Sequence, residues 1–393
     1  MSNAVWVYFR PGFNQPQSVE EFLAWTDRHD VKVVLLHLEG KKYRNFKLVE
    51  PQMQEFIQGC VEHKLEVHGL FNALTSVPEE WISDEYRDLF CVDYHGISIL
   101  DEPISGRRFF LDPNKSEVVE LLKQISHNIL QSYPELSGIQ LDFIRYYNWQ
   151  STFTINARQM GHNVSFLKQG TPLKLAANGG EVSYFLQEAA VLYDDPPFGD
   201  EFAFYRNFSY CFCNHCLEGF FRDNGITIPE NQGHTAEIAQ WILDHYAERW
   251  YEYRSAILES VVRQVHQTVK AVDASKQLSI TVWYNSPYGN ELIDKPMDPA
   301  SVVRDFGQNW WDWVDSGLID FICPMNYWLK PESFAQVIQE QVSKMKQTIP
   351  LYSGLLRSNE FEISPSELEE YQAVSKIAGA EGICFFHYGT WKD

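Results

Sequence analysis

Leu136-Ser137-Gly138-Ile139-Gln140-Leu141-Asp142-Phe143-Ile144-Arg145-Tyr146-Tyr147 decides how the rest of the chain is read. A turn marked by Pro134 leads into a nearly continuous apolar run, interrupted by one acid and then by one base. A strand buried on both faces has this composition, with charge admitted only near its C-terminal end. A lone carboxylate in such a place costs several kcal/mol unless it is paired or performs chemistry. In a parallel α/β barrel that end of a strand carries the site. Asp142 and Arg145 are therefore either an ion pair closing the strand or members of a site, and the sequence favours the site.

Working outward, residues 4–9, 31–38 and 65–74 read as strands one to three. The helix after strand one opens on a capping box, Ser18 with Glu21, and buries Phe22 and Trp25; the next helix covers 51–63. Residues 75–111 form a long loop with a small hairpin at 93–97. Asp112 is then expected to cap a helix whose first residue is Pro113 and which runs to 132. No barrel element is legible over 148–234, a length far beyond an ordinary loop, so this reads as an insertion forming a lid or subdomain. Residues 235–271 keep helical spacing for too long to be one barrel helix, and a break is expected near Trp250. Strands follow at 278–284, 319–326, 351–355 and 382–388, with a second capping box at Ser364 and Glu367. Eight strands alternating with helices predict an α/β fold, a (β/α)8 TIM barrel, formed by residues 1–393 as a single domain with the insertion after strand four.

Four stretches carry a resemblance. Gly138-Ile139-Gln140-Leu141-Asp142-Phe143-Ile144-Arg145-Tyr146, Phe110-Leu111-Asp112-Pro113-Asn114, Gly317 through Tyr327 and Gly379 through Phe386 together resemble the glycoside-hydrolase-like (β/α)8 barrels, which are similar to the α-amylase and α-galactosidase superfamilies. The resemblance implies a glycoside hydrolase. Because those superfamilies place their nucleophile on strand four, it also implies Asp142 in that role.

Composition narrows the partners. Apolar residues make up 45% and charged residues 22% of the chain, which suits a soluble globular protein. The net charge of -21 argues against nucleic acid and makes a neutral or cationic ligand easier to accommodate. Aromatics reach 15%, and exposed rings are what sugars pack against, although most such rings serve the core. No apolar run is long enough to cross a bilayer, so no membrane partner is expected. Seven irregularly spaced Cys point to reduced thiols and hence to the cytoplasm. Ser2-Asn3-Ala4 reads as a cloning remnant, and a leader removed with it would place the protein outside the cell.

Barrel logic selects residues at strand C-termini. Glycoside cleavage needs a carboxylate that attacks or activates water and a second, of raised pKa, that protonates the leaving oxygen. Asp142 fits the first. For the second, strands five and six offer only Tyr284-Asn285 and Asn326-Tyr327, so loop acids are the candidates: Glu201, Glu291 and then Glu39. Arg145 would orient Asp142 and hold it ionised. Asn72, Trp283, Asn285, Asn326, Tyr327 and His387, with Glu39, would contact sugar, the alternative being a hydrogen-bonded network without ligand. A barrel that binds a carbohydrate without cleaving it is the competing expectation, motivated by the missing second acid. Dinucleotide, P-loop, Gly-x-Ser-x-Gly and His-Glu-x-x-His motifs are absent, and catalysis is expected to need no cofactor.

Cys211-Phe212-Cys213-Asn214-His215-Cys216 is a separate signal. Its thiols have metal-like spacing, and a structural zinc takes four ligands, the fourth being Cys91 or His215. A similar Cys-aromatic-Cys-x-x-Cys run followed by a Phe-rich helix occurs in zinc-carrying β-galactosidases. Reduced buried thiols bracing the insertion are the alternative.

Overall fold

A computed structural model describes residues 2–10, 13–93, 96, 98–101, 109–146, 172–177, 180–187, 190–193, 210–228, 234–285, 296–358 and 361–392. Strand β1 (Asn3–Tyr8) is buried at every position and pairs in parallel with β2 (Val31–His37), which pairs with β3 (Glu66–Asn72) and that with β4 (Gly138–Asp142). Strands β5 (Pro172–Ala177), β6 (Gly180–Gln187) and β7 (Ala190–Tyr193) form a separate antiparallel sheet inside the expected insertion. The parallel sheet resumes beside β4 with β8 (Gln277–Val282) and β9 (Phe321–Pro324), and β10 (Tyr352–Leu356) and β11 (Gly382–Phe386) return it to β1. A bridge between Ile322 and Leu351, with the Ile322 N–H donating to Pro350 O at 3.1 Å, joins β9 to β10 and completes the ring. The chain is a (β/α)8 barrel, as the strand-four reading expects.

Helices α1 (Val19–Arg28), α2 (Pro51–Glu62) and α3 (Ser116–Ser132) follow the first three strands. Helices α4 (Asn214–Asn224) and α5 (Thr235–Val272) precede β8. Next come α6 (Pro299–Phe306) and α7 (Trp310–Asp315), then α8 (Pro331–Lys344) and α9 (Pro365–Ala378), and α10 (Tyr388–Trp391) closes the chain. Strand residues alternate between two apolar compartments. Trp6, Leu35, Leu70 and Cys323 fill the barrel, whereas Val5, Val34, Phe71, Ile139 and Ile280 pack outward against the helices. Inside, the Trp6 indole N–H donates to Gln140 Oε1 at 2.9 Å, tying β1 to β4 across the lumen. Gly138 opens β4 because a Cβ there would stand 2.1 Å from Gln277 O on β8.

Several expectations shift. Ser18 Oγ accepts the Glu21 N–H at 3.1 Å, but Glu21 Oε2 accepts from Gln17 rather than reaching back to Ser18. Helix α5 breaks at Tyr246 (φ -141°, ψ 25°), one turn before the expected place. Asn3, read as part of a cloning remnant, is 1% exposed and structural: its amide donates to His29 O at 2.7 Å and accepts the Ile383 N–H at 2.9 Å. Asp112 does not cap α3, which begins at Ser116 after Lys115. Its Oδ1 accepts the Asn114 N–H at 3.0 Å in a turn, and its carboxylate points into the protein.

Candidate active site and cysteine centre

The parallel strands bring Tyr8, His37, Asn72, Asp142, Val282, Pro324, Leu356 and Phe386 to one rim. Asp142 is the one carboxylate at these eight strand ends. It lies in register with Asn72 on β3, so the two side chains face the lumen side by side. Phe143 then takes a left-handed conformation, φ 53°, which is uncommon for an aromatic residue and marks local strain. That turn swings the Phe143 N–H back to Asp142 Oδ1 at 2.7 Å and fixes the carboxylate at the strand tip.

Arg145 lies close by over aromatic faces, its guanidinium carbon 4.5 Å from the Phe143 ring centroid, 5.6 Å from that of Trp283 and 5.7 Å from that of Phe306. Trp283 stacks on Phe306 at 5.9 Å, and its Nε1 has no hydrogen-bond partner among the described residues. Tyr327 meets Trp283 edge-on at 6.1 Å and Phe386 at 5.4 Å. Burial, and then the fields of Tyr8, Cys384 and Asp142, hold its phenol well above the ordinary range. Tyr8, Tyr327 and Asp142 thus share one electrostatic neighbourhood.

Other expected residues are placed differently. The Asn326 amide, fully buried, exchanges two 2.9 Å hydrogen bonds with Gln341 and donates a third to Ser353 Oγ. Asn285 donates to Pro296 O and accepts from Ser301 Oγ. Both amides, expected as sugar contacts, are hydrogen-bonded within the protein and brace their loops. Glu39 is half exposed and pairs with Lys42 at 3.5 Å, beyond the strand tip. Glu201 and Glu291 lie outside the described residues. Asp320, the acid of the third resembling stretch, stands at the opposite end of its strand, held by Lys270 at 3.1 Å and by the Leu278 N–H at 2.8 Å. Tyr8, Arg10 and Phe13, overlooked in the sequence, border the same rim, and following β1 to its C-terminal end would have found them.

The cysteine cluster gathers on the outer side of the strand ends. One ligand atom each from Asp112, Cys211, Cys213 and Cys216 lies within 4.8 Å of the others. Cys213 Sγ is 3.0 Å from Asp112 Oδ2, and Cys216 Sγ is 3.4 Å from it. Cys213 is also the N-cap of α4, its sulfur accepting the Cys216 N–H at 3.4 Å. Tetrahedral ligands about 2.0–2.3 Å from zinc stand roughly 3.3–3.8 Å apart, so this quartet fits with small inward movement. The fourth donor within this distance is Asp112, where the sequence suggests Cys91 or His215. Cys91 instead donates to Leu111 O at 3.4 Å, while exposed His215 faces Asn114 O at 3.2 Å and lines a cavity of about 440 Å³ between α3 and α5. Burial, then the neighbouring Cys213, pushes the Asp112 carboxyl up to about 8, and burial first pushes the Cys211 thiol up to about 11. Four acidic groups so raised are a donor set that a divalent cation would stabilise.

Comparison with known proteins bears out the glycoside-hydrolase-like resemblance. Residues 197–371 match the family described as Glycosyl hydrolase-like 10. No curated protein matches the chain. Among solved structures, the PgaB (BpsB) glycoside hydrolase domain from Bordetella bronchiseptica is similar at TM-score 0.62 and 11% identity, over 99% of this chain and 94% of that one. The catalytic domain of β-amylase from Paenibacillus polymyxa follows at 0.59 and 9%, over 99% and 93%. A β-galactosidase from Rahnella sp. R3 gives 0.56 and 10%, over 98% of this chain and 50% of that one. At these identities the likeness establishes the barrel. Among the described residues no helix is long and apolar enough to cross a membrane.

Proposed function

We propose that the protein hydrolyses a glycosidic bond, with Asp142 as the essential carboxylate. The observation that carries this reading is the placement of Asp142 as the sole carboxylate of the strand ends, held by its own chain turn beside Arg145, Trp283 and Tyr327. Asp142 attacks the anomeric carbon or activates water, Arg145 favours its ionised form, and Trp283 and Tyr327 offer faces to the sugar. Asn72 and His387 complete the rim. The leaving oxygen is protonated by Glu201 or Glu291. Asp142→Asn is expected to abolish turnover of any cleaved glycoside with the fold intact by circular dichroism, and Glu201→Gln or Glu291→Gln to lower it at least a hundredfold. Retained turnover in Asp142→Asn removes that residue from the mechanism.

The lack of a second carboxylate at the strand ends favours one competing reading, a barrel that binds a carbohydrate without cleaving it. Binding without turnover by the unmodified protein would decide for it.

Asp112, Cys211, Cys213 and Cys216 are proposed to hold a structural zinc, which would cross-link the loop before α4 to the loop before α3. Protein purified without chelator is expected to contain one zinc per chain, and Asp112→Asn to lose it to a competing chelator at least tenfold more readily. Zinc-free protein, or unchanged retention in the variant, defeats the assignment.

A further inference from the structure

Outside the ring of strands, at the same end of the barrel as Asp142, a cavity of about 400 Å³ lies between the loop after β2, the loop after β3 and the first turns of α3. Ion pairs between Lys41 and Glu79 at 3.2 Å, and between Arg44 and Glu80, hold the two loops side by side. Trp81 forms the aromatic wall: partly exposed, it stacks on Tyr86 with centroids 5.8 Å apart and planes 18° from parallel. Leu121 on α3 adds apolar surface. The loop bearing Arg44 and Asn45 is anchored on both sides. Tyr43 is fully buried and its carbonyl accepts from the Asn128 amide at 2.6 Å, while the Leu48 N–H donates to Ser132 Oγ and the Glu50 N–H to Tyr133 OH, each at 2.9 Å. Between these anchors Phe46 is 59% exposed; with Val49 on the same loop and Ile82 beside Trp81, it makes three of the five large apolar side chains exposed among the described residues. So concentrated a set, on a loop fixed in place, marks a surface that meets a partner.

The lining selects among partners. Glu117 and Glu120 are acceptors, and Asn45 and Gln124, exposed and with no side-chain hydrogen bond among the described residues, both donate and accept. Trp81 Nε1 likewise has no partner among them. Arg44, the one cation of the lining, is already paired with Glu80. Its own N–H, and then the Ser116 hydroxyl, hold the Glu117 carboxyl below the ordinary carboxylate range, so the cavity stays negative at neutral pH and disfavours an anion. A neutral ligand with a C–H face for the indole and hydroxyl groups around its edge fits this lining, and a sugar ring has that shape. The volume is that of a small-molecule site.

We propose that this cavity is an accessory site for a neutral polysaccharide, with one sugar ring on Trp81 and its hydroxyl groups on Asn45, Gln124, Glu117 and Glu120. This rests on the reading of the barrel as a carbohydrate enzyme and names its substrate class. A hold outside the strand ring helps only a substrate long enough to be gripped there while another of its units lies at Asp142. The substrate is therefore a polymer, and the second contact raises its local concentration at the mouth.

Binding by the Asp142→Asn protein separates this from the hydrolase reading, because it needs no turnover. Calorimetry and hydrogen-exchange mass spectrometry would use laminarin, xylan, galactan and mannan as neutral probes and polygalacturonate as the acidic one. At least one neutral polysaccharide is expected to bind and to slow amide exchange over residues 44–50 and 79–86, with polygalacturonate leaving those segments unchanged. Adding Trp81→Ala is expected to weaken the binding at least tenfold, and Trp81→Phe, which keeps a ring, by less. Asn45→Ala with Gln124→Ala, both exposed and unpartnered among the described residues, should weaken it at least threefold, and this pair decides if Trp81→Ala fails to fold. Binding of no neutral polysaccharide, binding without protection of the two segments, equal protection by polygalacturonate, or affinity unchanged in a folded Trp81→Ala or in the double variant overturns the proposal. A polysaccharide held through Trp81 that the unmodified chain never cleaves would instead count against hydrolysis and leave the accessory site standing; cleavage with KM unchanged by Trp81→Ala would do the reverse.

Discussion

Asn326 gives every polar atom of its amide to neighbours, two bonds to Gln341 on α8 and one to Ser353 on β10. Truncation would strand a buried amide and a buried hydroxyl, each costing about 1–3 kcal/mol. Asn326→Ala is therefore expected to lower stability by about 2–4 kcal/mol in urea titration while the folded fraction keeps its substrate KM. A lost KM with unchanged stability would return the residue to the site. The residue was visible in the sequence and its role was not, because an amide at a strand end looks the same whether its partner is a sugar or a second amide fifteen positions on. Asp112 shows the converse. Asp before Pro is a strong helix-start signal, and it concealed a carboxylate that follows Phe109, Phe110 and Leu111 into the interior and meets thiols a hundred residues away. Local chemistry predicts local partners, and this one was distant.

Elements fared better than residues because their signals are repeated along the chain. Each of the eight barrel strands was legible as an apolar run, and for the seven given bounds the ends moved by at most two residues, where backbone pairing stops but the apolar pattern continues. The clearest case is α9. Ser364 Oγ accepts the Glu367 N–H at 3.3 Å, Glu367 Oε2 accepts the Ser364 N–H at 2.8 Å, and Pro365 occupies the first turn. Ser364→Ala is expected to cost about 1 kcal/mol by the denaturation midpoint, and a neutral result would mean that packing of Tyr371 and Ser375 alone holds this helix. The break in α5 was foreseen only roughly, since periodicity records that a helix is too long and not which residue leaves the helical region.

For the whole molecule, the barrel interior sets a limit at acid pH. His68 on β3 is completely buried against Phe321 at 4.9 Å, and neither ring nitrogen has a hydrogen-bond partner among the described residues. Burial, and then the charge of Lys276, push its imidazole down to about 3, and His37 and His387 are depressed for related reasons. An imidazole held below its unfolded value near 6.5 takes up fewer protons folded than unfolded. Its contribution is complete above pH 6.5 and drains away as the pH falls towards 3. At pH 5 each such residue therefore costs about 2 kcal/mol relative to pH 8. The histidine contribution to the melting temperature should start to fall below pH 6.5, before carboxylates of ordinary pKa titrate, whereas Asp112, pushed up to about 8, acts in the opposite sense over this range. His68→Leu should remove about 2 kcal/mol of the difference between pH 5 and pH 8 and raise stability at both, since it also removes two unpartnered nitrogens. If His68→Leu leaves the pH dependence unchanged, the imidazole is protonated within the folded barrel, and a polar partner such as an internal water must hold its charge.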